Sequence, residues 1–150
     1  MSLADMYWKR FLKATGRDPE EKCAGDMNFE AHGFVCDELV SLVLAGKKTA
    51  IFTSFATYAV DNEPLPVSGE LYIVFDRAEK PCCIIETTAV SVVPFNEVTG
   101  EMAAMEGEDG NIEEWREKHK EYLEEEGSIV GFEFTSDLKL VFQTFHVLYR

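Results

Sequence analysis

Residues 44–50, LAGKKTA, mark the point where an amphipathic helix ends and a strand begins. Upstream, residues 36–45 carry apolar side chains at the spacing of a helix that is buried along one side. Gly46 is the residue type that closes such a helix in the left-handed conformation. Residues 50–55, AIFTSF, are then typical of the start of a strand. The sequence therefore predicts a helix-to-strand junction at this point.

Two lysines follow the predicted helix end directly. Lys47 and Lys48 lie where cations suit the negative end of a helix dipole, which is sufficient to explain their presence. A lysine fixed at such a junction can also point into a cleft and contact a ligand there. Gly46, Lys47 and Lys48 are therefore candidate ligand-binding residues, although the junction alone names no reaction.

The length and composition predict one domain over residues 1–150. A chain of this length buries roughly two-thirds of its unfolded surface without disulfides or metals, and 46% of its residues are apolar. No apolar run approaches the ~20 residues of a membrane span. The first residues lack the basic and apolar segments of a secretion signal. We therefore expect a cytoplasmic protein that does not enter a membrane.

The cysteines and histidines do not predict a metal site or a disulfide framework. The four cysteines form no C-x-x-C pair: Cys23, Cys36, Cys82 and Cys83. The three histidines are scattered along the chain: His32, His119 and His146. A phosphate-binding P-loop would need a glycine-rich run before Lys48 and Thr49, and residues 42–45 (LVLA) are not one. We therefore expect no metal and no cofactor.

The formal net charge of −14 argues against duplex DNA and against any partner gripped mainly through its phosphates. Eleven acidic residues lie between positions 101 and 126, against three basic ones. Most of the acidic residues belong to a predicted surface helix, where charge favours solubility. The positive potential around Lys47 and Lys48 can survive this charge, since salt screens charges beyond ~8 Å.

The remaining pattern predicts helices mixed with strands. Helices are expected at about 3–15, 36–45, 100–105 and 112–125. Strands are expected at about 49–55, 71–75, 82–93 and 138–148, and residues 17–35 are expected to be irregular. Several strands are apolar on both sides, so the sheet should be covered or curled closed. The fold class is therefore α+β, built around a small β-barrel flanked by helices.

The order and spacing of these elements resemble the ASCH domain family, which is related to the PUA RNA-binding fold. The resemblance rests on GKKT at 46–49, on GELYIV at 69–74 followed by the strand at 83–90, and on three later motifs. Those motifs are PFNEV at 94–98, MEGE at 105–108 and WREKH at 115–119. The resemblance covers about residues 34–148 and implies a PUA-like barrel with helices beside a cleft.

The resemblance also implies a nucleic-acid-related function. Many relatives are thought to bind RNA, some are amidohydrolases that deacetylate acetylated cytidine, and another is described as a ribonuclease. In the amidohydrolases a lysine, a threonine three residues later and a glutamate form the catalytic set. The lysine and the glutamate correspond to Lys48 and Glu106, but the threonine corresponds to Ile51, which has no hydroxyl. The arginine two residues beyond that threonine is also absent, because Thr53 stands there.

Binding of RNA or of a small modified nucleoside is the first functional hypothesis. Lys48 would contact a phosphate or a base carbonyl, and Glu106 would accept a hydrogen bond from an exocyclic amine. Phe52 would stack on the base, unless it packs in the core. Trp115 and His119 share one helix face and could pack on the barrel or line the cleft. Glu86 lies mid-strand among apolar residues and could face the barrel or the solvent.

Three alternatives remain, of which cleavage of RNA, as by a ribonuclease, is implied by the resemblance alone. The protein could hydrolyse an acylated nucleoside, with Lys48 as the base and Thr49 or Thr53 as the nucleophile, or with Glu106 activating water. It could instead be a protein-interaction module that uses the acidic helix at 112–126 as its contact surface.

Overall fold

The computed structural model describes residues 1–29 and 36–150. His32 lies outside the described residues, as do residues 34 and 35 at the start of the ASCH-like region. A short 3-10 turn, Phe95–Glu97, follows the longest strand. The other elements, in chain order, are α1 (Leu3–Thr15), β1 (Gly25–Asn28), α2 (Cys36–Leu44), β2 (Ala50–Ser54), α3 (Phe55–Val60), β3 (Leu71–Phe75), β4 (Pro81–Pro94), α4 (Gly100–Ala104), α5 (Ile112–Val130) and β5 (Lys139–Tyr149).

The five strands form one mixed sheet, a half-barrel, in the order β1-β3-β4-β5-β2. β1 runs parallel to β3, and all other neighbours are antiparallel. The 14-residue strand β4 pairs with both β3 and β5, and its register with β5 shifts at two places, between Ile84 and Ile85 and between Thr87 and Ala89. Such irregularities bend a strand and increase its twist, so they help to curl the sheet. The predicted α+β fold is confirmed.

Helices cover the sheet on both faces. The strands that are apolar on both sides predicted such a covered sheet. The α2 residues Leu39 and Val43 pack with Val74, Ile85 and other side chains of the central strands. On the opposite face, aromatic side chains of α1 pack on alternate residues of the same strands. α5 packs through Trp115 and Leu123 in a third cluster near the end of β4. Leu44 and Ile51, at the two ends of the junction, pack against the α2 cluster, and Phe52 packs against the third cluster.

Three elements differ from the sequence-based expectation. β1 lies within residues that were expected to be irregular, because its pairing with β3 rather than an apolar pattern defines it. α3 begins at Phe55, where the Ser54 side chain accepts a hydrogen bond from the Thr57 N–H and ends the strand. α5 continues to Val130, and Gly131 closes it with a φ of 107°. None of the helices in the described part of the chain is long and apolar enough to cross a bilayer.

Candidate functional site

The two lysines of the junction point in different directions. Gly46 has a φ of 74°, and the turn it makes lets the Lys47 and Lys48 N–H groups both donate to the Leu42 carbonyl, at 2.9 and 3.1 Å. Lys47 is exposed, whereas the Lys48 residue is only 2% exposed. The helix-end interpretation therefore fits Lys47, and the cleft interpretation fits Lys48.

The Lys48 ammonium is held by a carbonyl and two carboxylates. Its Nζ donates to the Ala50 carbonyl at 3.1 Å and to Glu108 Oε2 at 2.5 Å. Glu106 Oε2 lies 3.8 Å from the same nitrogen. The ammonium also lies 5.5 Å from the centre of the Phe29 ring. A buried ammonium needs such compensation, and an ammonium has three N–H donors, of which these hydrogen bonds use two.

Glu106 is the anchor of the site, because both of its oxygens accept hydrogen bonds. Oε1 accepts from Trp115 Nε1 at 2.7 Å and from His119 Nε2 at 2.8 Å, while Oε2 accepts from the Phe52 N–H at 3.2 Å. Burial favours the neutral acid, but the His119 hydrogen bond and the Lys48 charge outweigh it and hold the pKa of Glu106 below its usual value. Glu106 is therefore a fully paired carboxylate.

His119 lies between two hydrogen-bond acceptors. Its Nδ1 lies 2.9 Å from the Trp115 carbonyl oxygen and its Nε2 lies 2.8 Å from Glu106 Oε1, an arrangement that favours the doubly protonated ring. The ring also stacks on Trp115, with centroids 4.1 Å apart. Burial alone would lower the pKa of His119, but the hydrogen bond to Glu106 and its charge raise it above the usual value.

Glu108 is a site residue that the sequence reasoning missed. Its side chain is 4% exposed and pairs with Lys48. Burial raises the pKa of Glu108. The charge of Lys48 lowers this pKa and the charge of Glu106 raises it further, and together they leave it above its usual value. The sequence Glu106-Gly107-Glu108 could have predicted this residue, because a glycine between two carboxylates allows a tight loop in which both side chains face the same site. Gly107 has a φ of 70°, and a Cβ there would lie 2.4 Å from the Lys47 carbonyl oxygen.

These groups line a cavity of about 640 Å³, within the range of small-molecule sites. Five of the predicted residues line it: Lys48, Phe52, Thr53, Glu106 and His119. Ile51 lines it where the resemblance would require a threonine. A smaller cavity of about 290 Å³ shares Phe52, Thr53 and Tyr122 with the first and extends the groove toward α3.

Several predicted residues lie elsewhere. The Thr49 hydroxyl is 3.4 Å from the Met105 carbonyl and does not line the cavity. Glu86 accepts from His146 at 2.7 Å on the partly exposed side of the sheet. Trp115 is fully buried behind the site and contacts it through its indole N–H. Gly46 and Lys47 are exposed and shape the junction without lining the cavity.

The charge around the cavity is mixed and on balance acidic. Its lining carboxylates are Asp76, Glu79, Glu106, Glu108 and Asp109, and its basic groups are Lys48, Arg77, Lys118 and His119. Lys118 Nζ lies 2.9 Å from Asp109 Oδ1, so this second lysine of the lining is also paired with a carboxylate. Within the described ranges 1–29 and 36–150, no group of three His, Cys, Asp or Glu side chains could hold a metal ion.

The chain is similar to solved structures along almost its whole length. The family model for the ASCH domain matches residues 26–149. An ASCH domain from Lactobacillus crispatus JV V101 has a TM-score of 0.89 and 30% identity, covering 99% of this chain and 95% of that chain. Protein EF3133 from Enterococcus faecalis V583 has a TM-score of 0.85 and 29% identity, with coverages of 98% and 88%.

A more distant structure shares the fold alone. The hypothetical protein PH0355 has a TM-score of 0.53 and 17% identity, and it covers 83% of this chain and 98% of its own. No curated protein matches this sequence.

Proposed function

The chain belongs to the ASCH domain family, and from that premise we propose that its cavity binds one unpaired base, as a nucleoside or within a short single strand of RNA. The observation that carries the proposal is the buried Lys48 ammonium between Glu106 and Glu108 at the cavity wall. Proteins read unpaired bases by hydrogen bonds to their polar edges and by stacking on aromatic rings. This cavity offers a donor and an acceptor together with the partly buried Phe52 ring, which lines the cavity and also packs on Phe142 and Trp115.

Lys48 is suited to a base carbonyl rather than to a phosphate. Its two hydrogen bonds, to Ala50 and Glu108, leave one N–H for a ligand. The adjoining carboxylates would repel a phosphate at this depth, whereas a neutral carbonyl oxygen is not repelled. The acidic balance of the whole chain favours a single base over a long strand or a duplex for the same reason.

A pair of neighbouring lysines provides the test. Lys48→Met should abolish binding of the four ribonucleosides and of a short single-stranded RNA, as measured by NMR chemical-shift perturbation. Lys47→Met removes the same charge one residue away and should leave binding unchanged. Melting curves should show that both variants are folded. Equal binding by Lys48→Met and wild type would contradict the proposal, as would an absence of binding by the wild-type protein.

Hydrolysis of an acylated cytidine is a second candidate, favoured by the Thr53 hydroxyl that lines the cavity with Lys48. Thr53 Oγ1 lies 3.4 Å from Tyr58 Oη, so it has a partner but is not buried. An ammonium bound to carboxylates suits oxyanion stabilisation better than proton abstraction. Incubating acetylated cytidine with the same two lysine variants, read by mass spectrometry, tests it. Acetyl loss with wild type and Lys47→Met only would support hydrolysis, and an intact substrate would exclude this activity.

A further inference from the structure

Glu106 has three of its roughly four acceptor sites filled, and Lys48 Nζ lies 3.8 Å from Oε2, the oxygen that carries the remaining site. Its two oxygens already accept from Trp115, His119 and the Phe52 N–H, all at 3.2 Å or less. Each of these donors is itself buried or half-buried. If Glu106 turned toward a ligand, the donor that lost its acceptor would be left unpaired, which costs free energy. Glu106 therefore fixes the geometry of the site instead of contacting the ligand.

Glu108 is in a different situation. Oε2 accepts from Lys48 at 2.5 Å, and Oε1 accepts no hydrogen bond from any residue in the described ranges. Glu108 lines the cavity, and its Oε1 is not among the buried oxygens that lack a partner, so a ligand can reach it. An ionised carboxylate offers acceptors only, so the group that meets Oε1 must be a donor.

We propose that Glu108, and not Glu106, is the carboxylate that accepts a hydrogen bond from an exocyclic amine of the base. This inference rests on the function proposed above and adds the specificity of the site. Glu108 and Lys48 then present an acceptor beside a donor. A base edge that carries an amine near a carbonyl matches this pair. In the same position, an edge with a carbonyl in place of the amine would set that carbonyl oxygen against Glu108 Oε1, which is an acceptor against an acceptor.

Cytidine and uridine are the probes, because position 4 of the base carries an amine in cytidine and a carbonyl in uridine. 3-Methyluridine is measured beside them, because its methyl group removes the N3–H that uridine could donate to Glu108 instead. Wild-type protein should bind cytidine about tenfold more tightly or better, the discrimination expected for one well-placed polar pair. Glu108→Gln should bring the two affinities together, because an amide can also donate to the uridine carbonyl. Glu117→Gln removes one charge at an exposed position outside the cavity, and it should keep the preference.

The outcomes separate this inference from the proposed function. If wild type binds neither nucleoside, both fail. If it binds both equally, or if Glu108→Gln keeps the cytidine preference, the base-binding function stands and the role of Glu108 is overturned. If Glu108→Gln does not fold, the same two affinities are measured with Glu108→Asp. Its side chain keeps the charge but is shorter, so the carboxylate lies farther from the ligand. Glu108→Asp should weaken cytidine binding and leave uridine binding unchanged, and an unchanged cytidine affinity would overturn the inference.

Discussion

The side chains of the site form a chain of alternating charge: Glu108, Lys48, Glu106 and His119. Each buried charge is compensated by its neighbours, which is the condition under which charges persist inside a protein. Removing a member leaves an uncompensated charge, so every substitution here acts on stability as well as on binding. Matched controls at exposed positions, such as Lys47 beside Lys48, separate the two effects.

The His119–Glu106 pair should make the stability of the fold depend on pH. The raised pKa of His119 means that its contribution to stability is complete below its ordinary pKa of 6.5 and is lost as the pH rises through the folded-state value. The lowered pKa of Glu106 has the opposite sign: its contribution is complete above 4.5 and is lost as the pH falls through its folded-state value. The pair should therefore stabilise the fold most between these two ordinary values.

His119→Gln should lower the free energy of unfolding by about 1–3 kcal/mol at pH ~6 and by less at pH ~9. Chemical denaturation at the two pH values measures this difference. His146→Gln is the control, because that histidine faces Glu86 at the surface, where an ion pair contributes little. A His119→Gln effect that is the same at both pH values would show that the ring is not charged in the folded protein.

At the scale of elements, the site is assembled where a loop from α4 meets the end of α2. The Thr49 N–H donates to the Met105 carbonyl at 2.7 Å, so the loop is hydrogen-bonded to the junction just before the two carboxylates. Gly107 lies over the Lys47 backbone with no room for a Cβ. This close approach is what places Glu106 and Glu108 on either side of the Lys48 ammonium.

Gly107→Ala tests that assembly against Gly46→Ala. Both glycines have positive φ values, 70° and 74°, so an alanine costs about 1–2 kcal/mol at either position. Only at position 107 does the new methyl group also overlap backbone, since nothing lies within 4 Å of a Cβ at position 46. Gly107→Ala should therefore be the less stable variant in thermal melts and should lose nucleoside binding. Retention of binding by Gly107→Ala would show that the loop position does not set the site.

The sequence predicted most elements but only part of the site, for physical reasons. Strands such as 71–75 are apolar on both faces, so pattern and burial agree there. The inward orientation of Lys48 required the turn after Gly46, and the adjacent lysine has the same local pattern. Glu108 is one of eleven acidic residues between positions 101 and 126, and only its long-range contact with Lys48 distinguishes it from the others. Long-range contacts are not encoded in local spacing.

At the scale of the whole molecule, the net charge is −14, so we expect a negative potential around the cavity. The second cavity continues this character, since it is lined by Asp61, Glu63 and Glu126 and by no basic residue of the described chain. We therefore expect a ligand that carries phosphate to be repelled along the groove, in contrast to an uncharged nucleoside. The two kinds of ligand should respond differently to ionic strength.

Cytidine and cytidine 5′-monophosphate should reveal this difference in parallel titrations at low and high salt. The affinity for the uncharged nucleoside should not change, while the nucleotide should bind more weakly at low salt and approach the nucleoside as added ions screen the repulsion. Phosphate-driven recognition has the opposite sign, because releasing counterions makes binding weaken as salt rises. Nucleotide binding that is tightest at low salt would therefore show that a basic surface, and not the buried Lys48 site, dominates recognition.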